Sequence, residues 1–160
     1  MHEILEVLLL ILIANAAPVL ASYLLSHHTS LSIDFGYKLK DQQYLFGASK
    51  TWRGLISAII ATSLVSFFIN SNIWPGITVA LLAMTGDLTS SFIKRRLKKP
   101  ASTKVSFLDQ IPESLFPAFG AMYYYPLELI HIIVISLSFT IIDMLLSKIL
   151  YQIGIRKRPY

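Results

Sequence analysis

Apolar residues run almost unbroken from Ile4 to Ser26, and comparable runs recur over 55–71, 77–93 and 127–152. About 20 such residues cross a bilayer core as one helix. Residues 105–126 are also largely apolar, but Asp109, Pro112, Glu113, Pro117 and Gly120 break them. Their purely apolar portion, 114–125, would rise only about 18 Å as a helix, too little to span alone. The pattern predicts an all-α integral membrane protein, a single domain over 1–160. It has five transmembrane helices, near 4–26, 55–71, 77–93, 105–126 and 127–152. The intervening loops 27–53 and 94–112 are expected to form a polar cavity at the inner leaflet. The polar half of the broken fourth span, Asp109 to Glu113, should face protein or water, because irregular backbone at membrane depth is tolerated only there.

Local features refine these elements. Glu3 and Glu6 stand where a secretory signal would carry cations, and the first run is too long for one. Pro18 removes a backbone bond and is expected to kink the first helix. Asn15 should bond to another helix or line a cavity. Residues 31–45 alternate loosely through Phe35, Tyr37, Leu39 and Tyr44, as a short hairpin or an interfacial segment would. Residues 70–76 read as a tight turn punctuated by Pro75-Gly76, with Trp74 at interface depth.

Composition agrees. The chain is 54% hydrophobic and 14% charged, against about 25% charged residues in a soluble domain. Mean hydropathy is +0.61. There is no cysteine, which excludes disulfides, thiolate zinc sites and a Cys nucleophile. The net charge of +5 is informative through its distribution. Every Lys and Arg except Lys148 lies in loop 27–53, in loop 94–112 or in the tail Arg156-Lys157-Arg158. The positive-inside rule then places the amino terminus outside and the carboxyl terminus and both loops in the cytoplasm. Trp and Tyr near span ends form interfacial belts, so nucleic acid is not the expected partner.

The candidate chemistry lies in 84–113. Asp87 is a carboxylate inside an apolar run, where acids are costly and usually functional. Lys94, Arg95, Arg96, Lys98, Lys99 and Lys104 follow with no acid among them, and Asp109 closes the stretch. On a helix, Asp87, Ser91, Lys94 and Lys98 share one face, with Arg95 beside it. Gly86 would let an ion or another backbone approach. Asp87 and Asp109 are candidate magnesium ligands. Lys50, Arg53, Lys94, Arg95 and Lys98 could neutralise phosphates. The competing readings are a salt bridge for Asp87, solvated loop acids for Asp109 and Glu113, and headgroup anchoring for the basic loop. Phe46 to Gly54 holds two glycines, two cations and two hydroxyls, compatible with a phosphate-binding turn. This segment is expected to fold over 84–113 and deliver Lys50. His27 and His28 read as interfacial, Glu128 and His131 as a pair, and Asp143 as a structural hydrogen-bond partner.

Gly86-Asp87, Ser91-Phe92-Ile93-Lys94-Arg95 and Leu108-Asp109-Gln110 resemble the signature of the membrane CTP:phosphatidate cytidylyltransferases. Ala14-Asn15-Ala16-Ala17-Pro18 and Phe46 to Gly54 are more similar to the archaeal branch, the CDP-archaeol synthases. The resemblance implies magnesium-dependent transfer of CMP from CTP to a lipid phosphate with two long isoprenoid chains. It carries over to Asp87 and Asp109 at the metal, Lys94 and Arg95 at the phosphates and Ser91 as a polar positioning group; Lys50, Asn15, Arg53 and Lys98 are this chain's further substrate-binding candidates. The broader family's closing Asp-Arg-x-Asp here reads Asp109-Gln110-Ile111-Pro112, with Glu113 next, which leaves the metal count and the part of Glu113 open. The rival classes are a small transporter or channel using Asp87 and Asp143, and a non-catalytic scaffold with basic lipid-binding loops.

Overall fold

The computed structural model describes residues 1–25, 30–100 and 108–155. Five helices follow in order: α1 (His2–Leu24), α2 (Trp52–Asn70), α3 (Trp74–Arg96), α4 (Gln110–Ala121) and α5 (Leu129–Gln152). All but α4 are long and apolar enough to cross a membrane, so the chain is an all-helical, multi-pass membrane protein. At 12 residues, α4 rises only about 18 Å against a hydrocarbon core of about 30 Å. The expected start of the fourth span (105–107), His27, His28, Lys104 and the tail Arg156-Lys157-Arg158 lie outside the described residues.

The helices meet through two apolar clusters. Val7, Leu10 and Ile11 of α1 gather with Val79, Ala118, Ile132, Ile135 and Phe139. A second cluster joins Ala14, Ala58, Ala80, Ala83 and Met84 of α1, α2 and α3. Small side chains suit that contact, because membrane helices associate through close van der Waals approach rather than through expulsion of water. The opposite faces carry exposed Ile56, Ile60 and Leu64 on α2, and Ile130, Leu137 and Ile141 on α5, as lipid-facing surfaces do.

Pro18 lies within α1, which continues through it to Leu24. Two local expectations change. Asn15 donates to the Ile11 carbonyl of its own helix at 2.9 Å rather than to a neighbour. Pro75-Gly76 does not form the α2–α3 turn; residues 71–73 do, with Ser71 left-handed at φ 54°. Pro75 instead occupies the first turn of α3, where its missing N–H costs nothing. Gly76 is needed inside the helix, since a Cβ there would lie 2.4 Å from the Thr62 carbonyl oxygen.

The ends of the helices are tied by polar contacts. Glu6 is buried and accepts from the Asn70 amide and the Tyr125 hydroxyl, joining α1, the end of α2 and the segment before α5. A buried carboxylate satisfied in this way fixes one arrangement of helix ends. Glu128 and His131 do pair, as a reciprocal cap on α5, with the Glu128 amide donating to His131 Nδ1 at 3.0 Å.

Between α1 and α2 the chain is neither a full hairpin nor a plain loop. Lys38 and Tyr44 form one antiparallel bridge, and Ser32 and Thr51 form another. The first closes a short turn; the second clips the beginning of the segment to its end.

Candidate active site

Lys50 reaches α3 because its backbone is fixed on both sides. Its carbonyl accepts from the Ile33 amide at 2.8 Å, and its own amide donates to the Gly47 carbonyl at 3.1 Å. The next residue, Thr51, caps α2, its hydroxyl accepting from the Gly54 amide at 3.2 Å. A Thr cap satisfies one of the orphan donors of a helix start and here sets where the loop ends. From that position Lys50 Nζ lies 2.5 and 2.6 Å from the two carboxylate oxygens of Asp87. Burial opposes the Lys50 charge, but Asp87, Glu113 and Asp109 outweigh it and hold its pKa above the ordinary lysine value.

A second ion pair stands beside the first. Lys94 Nζ is 2.7 Å from Asp109 Oδ1, and both residues are buried. Lys94 sits two turns beyond Asp87 on one face of α3, with buried Ser91 between them. Asp109 immediately precedes α4. Glu113, one turn into α4, lies within hydrogen-bonding reach of Asp87. Asp143 of α5 lies within electrostatic range of Glu113. Gly86 allows the arrangement, because the Pro112 backbone passes where its side chain would be.

The cluster therefore joins Lys50 from the first loop, Asp87, Ser91 and Lys94 from α3, and Asp109 and Glu113 from the start of α4. Loop 46–54 folds over 84–113 and delivers Lys50, as expected. Of the readings open for Asp87, the structure contains the salt bridge; Asp109 is buried and paired rather than solvated. Glu113 joins through a tertiary contact with Asp87 that no local spacing reports.

The remaining candidates are placed differently. Arg95 is buried and donates to the Pro100 carbonyl at 2.8 Å. Arg53 donates to the Leu25 carbonyl at the end of α1 at 2.8 Å. Lys98 is not on the α3 face, because the helix ends at Arg96 and Lys98 is an exposed turn residue with φ 54°. Arg96, which the sequence left without a role, pins the first loop. It contacts Asp41 at 2.5 Å and the Tyr44 carbonyl at 2.7 Å, and its guanidinium lies over the Phe92 ring.

The donor set suits a hard cation. Asp87, Asp109 and Glu113 offer carboxylate oxygens, and the Lys50 ammonium already sits against both oxygens of Asp87, a cation in a cation's position. Among the described residues no group of three or more His, Cys, Asp or Glu is placed to hold a metal ion. Magnesium does not require one: it commonly takes one or two carboxylates, with water and substrate phosphates completing its shell.

Comparison with known proteins decides the family. The family model described as CarS-like, CDP-archaeol synthase, matches residues 1–160. The chain belongs to the CDP-archaeol synthase family. It is 30% identical over 165 residues to the CDP-archaeol synthase of Staphylothermus marinus, covering 93% of this chain and 87% of that one. It is 29% identical to the Pyrobaculum arsenaticum CDP-archaeol synthase, over 92% of each chain. With the Pyrococcus furiosus CDP-archaeol synthase it shares 36% identity, over 69% of this chain and 70% of that one. A solved structure of an intramembrane enzyme for archaeal membrane lipids biosynthesis superposes with a TM-score of 0.76 at 25% identity, over 89% of this chain and 90% of that one. Membership of the CDP-archaeol synthase family makes this protein a nucleotidyltransferase and removes the transporter and scaffold readings.

Proposed function

We propose that this protein transfers the cytidylyl group of CTP to unsaturated archaetidic acid, a glycerol phosphate with two ether-linked isoprenoid chains, giving CDP-archaeol and pyrophosphate. The observation that carries this reading is the alternation of Lys50, Asp87, Lys94 and Asp109 in two neighbouring ion pairs, the first partly buried and the second buried, with Glu113 beside Asp87, at the ends of apolar helices. Such a site can take polyanions while the lipid chains remain along the helices.

In the proposed reaction an oxygen of the lipid phosphate attacks the α-phosphorus of CTP. The bond from that phosphorus to the bridging oxygen breaks, and pyrophosphate leaves with the electron pair. The nucleophile is a phosphate monoester, largely ionised at neutral pH because its second pKa is near 6. No side chain need remove a proton. The barrier lies in bringing two anions together, so fixed cations and in-line positioning carry the catalysis. Lys50 and Lys94 exchange their carboxylate partners for phosphate oxygens. Their positions on two different segments let them hold two different phosphates. Arg95, Arg53 and Lys98 add positive charge along the approach, and Ser91 and Asn15 offer polar contacts. Asp87 and Asp109 would hold magnesium, which supplies charge neutralisation and orientation of phosphate oxygens when bound.

The same reading sets the orientation. The site and both basic segments face the cytoplasm, the amino terminus lies outside, and the region of α4 makes the fourth of five crossings as a broken span. Charge distribution supports this. CTP then reaches the site from the cytoplasm and the lipid reaches it from the inner leaflet.

The test uses purified protein, magnesium, and CTP or dCTP paired with an ether-linked isoprenoid or an acyl glycerol phosphate. Mass spectrometry of the lipid fraction should show the CDP-linked isoprenoid ether. No nucleotide-linked lipid from any pairing would overturn the proposal.

A further inference from the structure

The first loop contains a buried anion of its own. Asp34 is 6% exposed, and its carboxylate accepts three backbone amides: Gly36 at 3.0 Å, Phe46 at 2.9 Å and Gly47 at 2.7 Å. The last two belong to the Phe46–Gly54 segment whose composition suggests a phosphate-binding turn. Those amides are already taken by Asp34, which fills the place an incoming phosphate would have. The first two amides of the turn are thus occupied, and the turn presents the Lys50 side chain to α3. Gly47 holds a left-handed backbone, φ 96°, and its carbonyl accepts the Lys50 amide. On the other side, Ile33, the residue before Asp34, donates to the Lys50 carbonyl. Asp34 thus joins the two strands of backbone that fix Lys50.

We infer that Asp34 is the positioning residue of this site: it acts through Lys50, locking the 46–50 turn so that the ammonium meets Asp87. The Asp34 oxygens are held within the loop, by the three backbone amides and the Ser32 side chain. A carboxylate suits this task because one of its oxygens accepts two amides while the other accepts a third, and charge-assisted bonds of this kind are about twice as strong as neutral ones. Asparagine keeps one acceptor oxygen but turns a donor toward the remaining amide. Alanine leaves all three amides without their acceptor.

Two measurements on the full chain test this. The first is thermal unfolding of a double-substitution cycle, Lys50→Ala with Asp87→Ala, made in the wild-type and Asp34→Asn backgrounds. This cycle does not depend on any reaction. The Lys50–Asp87 coupling in Tm should be present in the first background and fall by more than half in the second. Equal coupling in both overturns the inference, even if the cytidylyl-transfer reading stands. The second rests on that reading. Asp34→Asn should lower kcat about tenfold with the KM for lipid phosphate within about twofold. Asp34→Asn added to Lys50→Ala should cost no further activity. Unchanged kcat in Asp34→Asn, or losses that multiply with Lys50→Ala, overturn the positioning role. If wild-type protein makes no CDP-lipid, the reaction reading fails while the Tm cycle still decides the role of Asp34.

Discussion

Gly86 and Pro112 occupy each other's space: a Cβ on Gly86 would stand 2.2 Å from the Pro112 carbonyl oxygen and 2.8 Å from the Glu113 amide nitrogen. This contact brings the start of α4 against α3 and sets Glu113 beside Asp87. The obstructing atoms are backbone, so they cannot rotate away. Gly86→Ala should separate the two helices at the site. Overpacking of this kind costs about 1–3 kcal/mol or more. The expected result is a lower Tm together with loss of cytidylyl transfer. A Gly86→Ala protein with wild-type Tm and activity would show that the contact does not constrain the site.

The two ion pairs make a directional prediction. Removing one partner of a buried pair leaves the other charge without compensation, which usually costs about 3–5 kcal/mol. Lys94→Ala should destabilise the protein more than the double substitution Lys94→Ala with Asp109→Ala. Both should be inactive. Thermal melts of the three proteins measure the difference. A double variant less stable than the single would argue against a strained, desolvated pair.

Arg96 holds the first loop from the end of α3 through Asp41 and the Tyr44 carbonyl. Lysine keeps the charge but lacks the planar fork that reaches both acceptors. Arg96→Lys should raise amide hydrogen exchange across residues 38–46 and reduce activity by a few-fold. Unaltered exchange there would mean that the loop is held by its internal bonds alone.

Acid should release the same loop through Asp34. Burial works against its ionisation, but the amides of Gly47, Phe46 and Gly36 more than offset this and lower its pKa below the ordinary aspartate value. A carboxyl with a depressed folded-state pKa stabilises the fold above its unfolded pKa, near 3.9. That contribution disappears as pH falls through the folded-state value. Tm should therefore be insensitive to this group from about pH 5 upward and fall below about pH 4. In Asp34→Asn the acid decline should be shallower, with a lower plateau. Identical acid limbs for the two proteins would assign the decline to other carboxylates.

Much of this architecture is legible in the chain. The four long helices follow from apolar run length, and Asp87, Ser91 and Lys94 share a face because helical spacing requires it. Gly86 signals close approach by something, and that partner is the Pro112 backbone. Lys98 was misplaced because the same spacing was carried past Arg96, where α3 ends. Glu113 reaches the site through a contact between α4 and α3, and its local sequence carries no mark of it. Asp34 is similar: it precedes its Phe46 and Gly47 partners by a dozen residues, and its neighbours suggest only a polar loop. The Phe46–Gly54 composition suggests a phosphate-binding turn, whereas the anion on its first two amides is a side chain of the same protein.

The most direct measurement follows radiolabel from [α-³²P]CTP into lipid, in liposomes containing the ether-linked isoprenoid phosphate, with and without magnesium. Wild-type protein should label the lipid only with magnesium present, while Asp87→Asn and Asp109→Asn, inserted to the same level, should lose at least about 10²-fold in rate. Full labelling by either variant, or labelling by wild-type protein after magnesium is removed by chelation, would contradict the assignment of the Asp87–Asp109 cluster as the catalytic site.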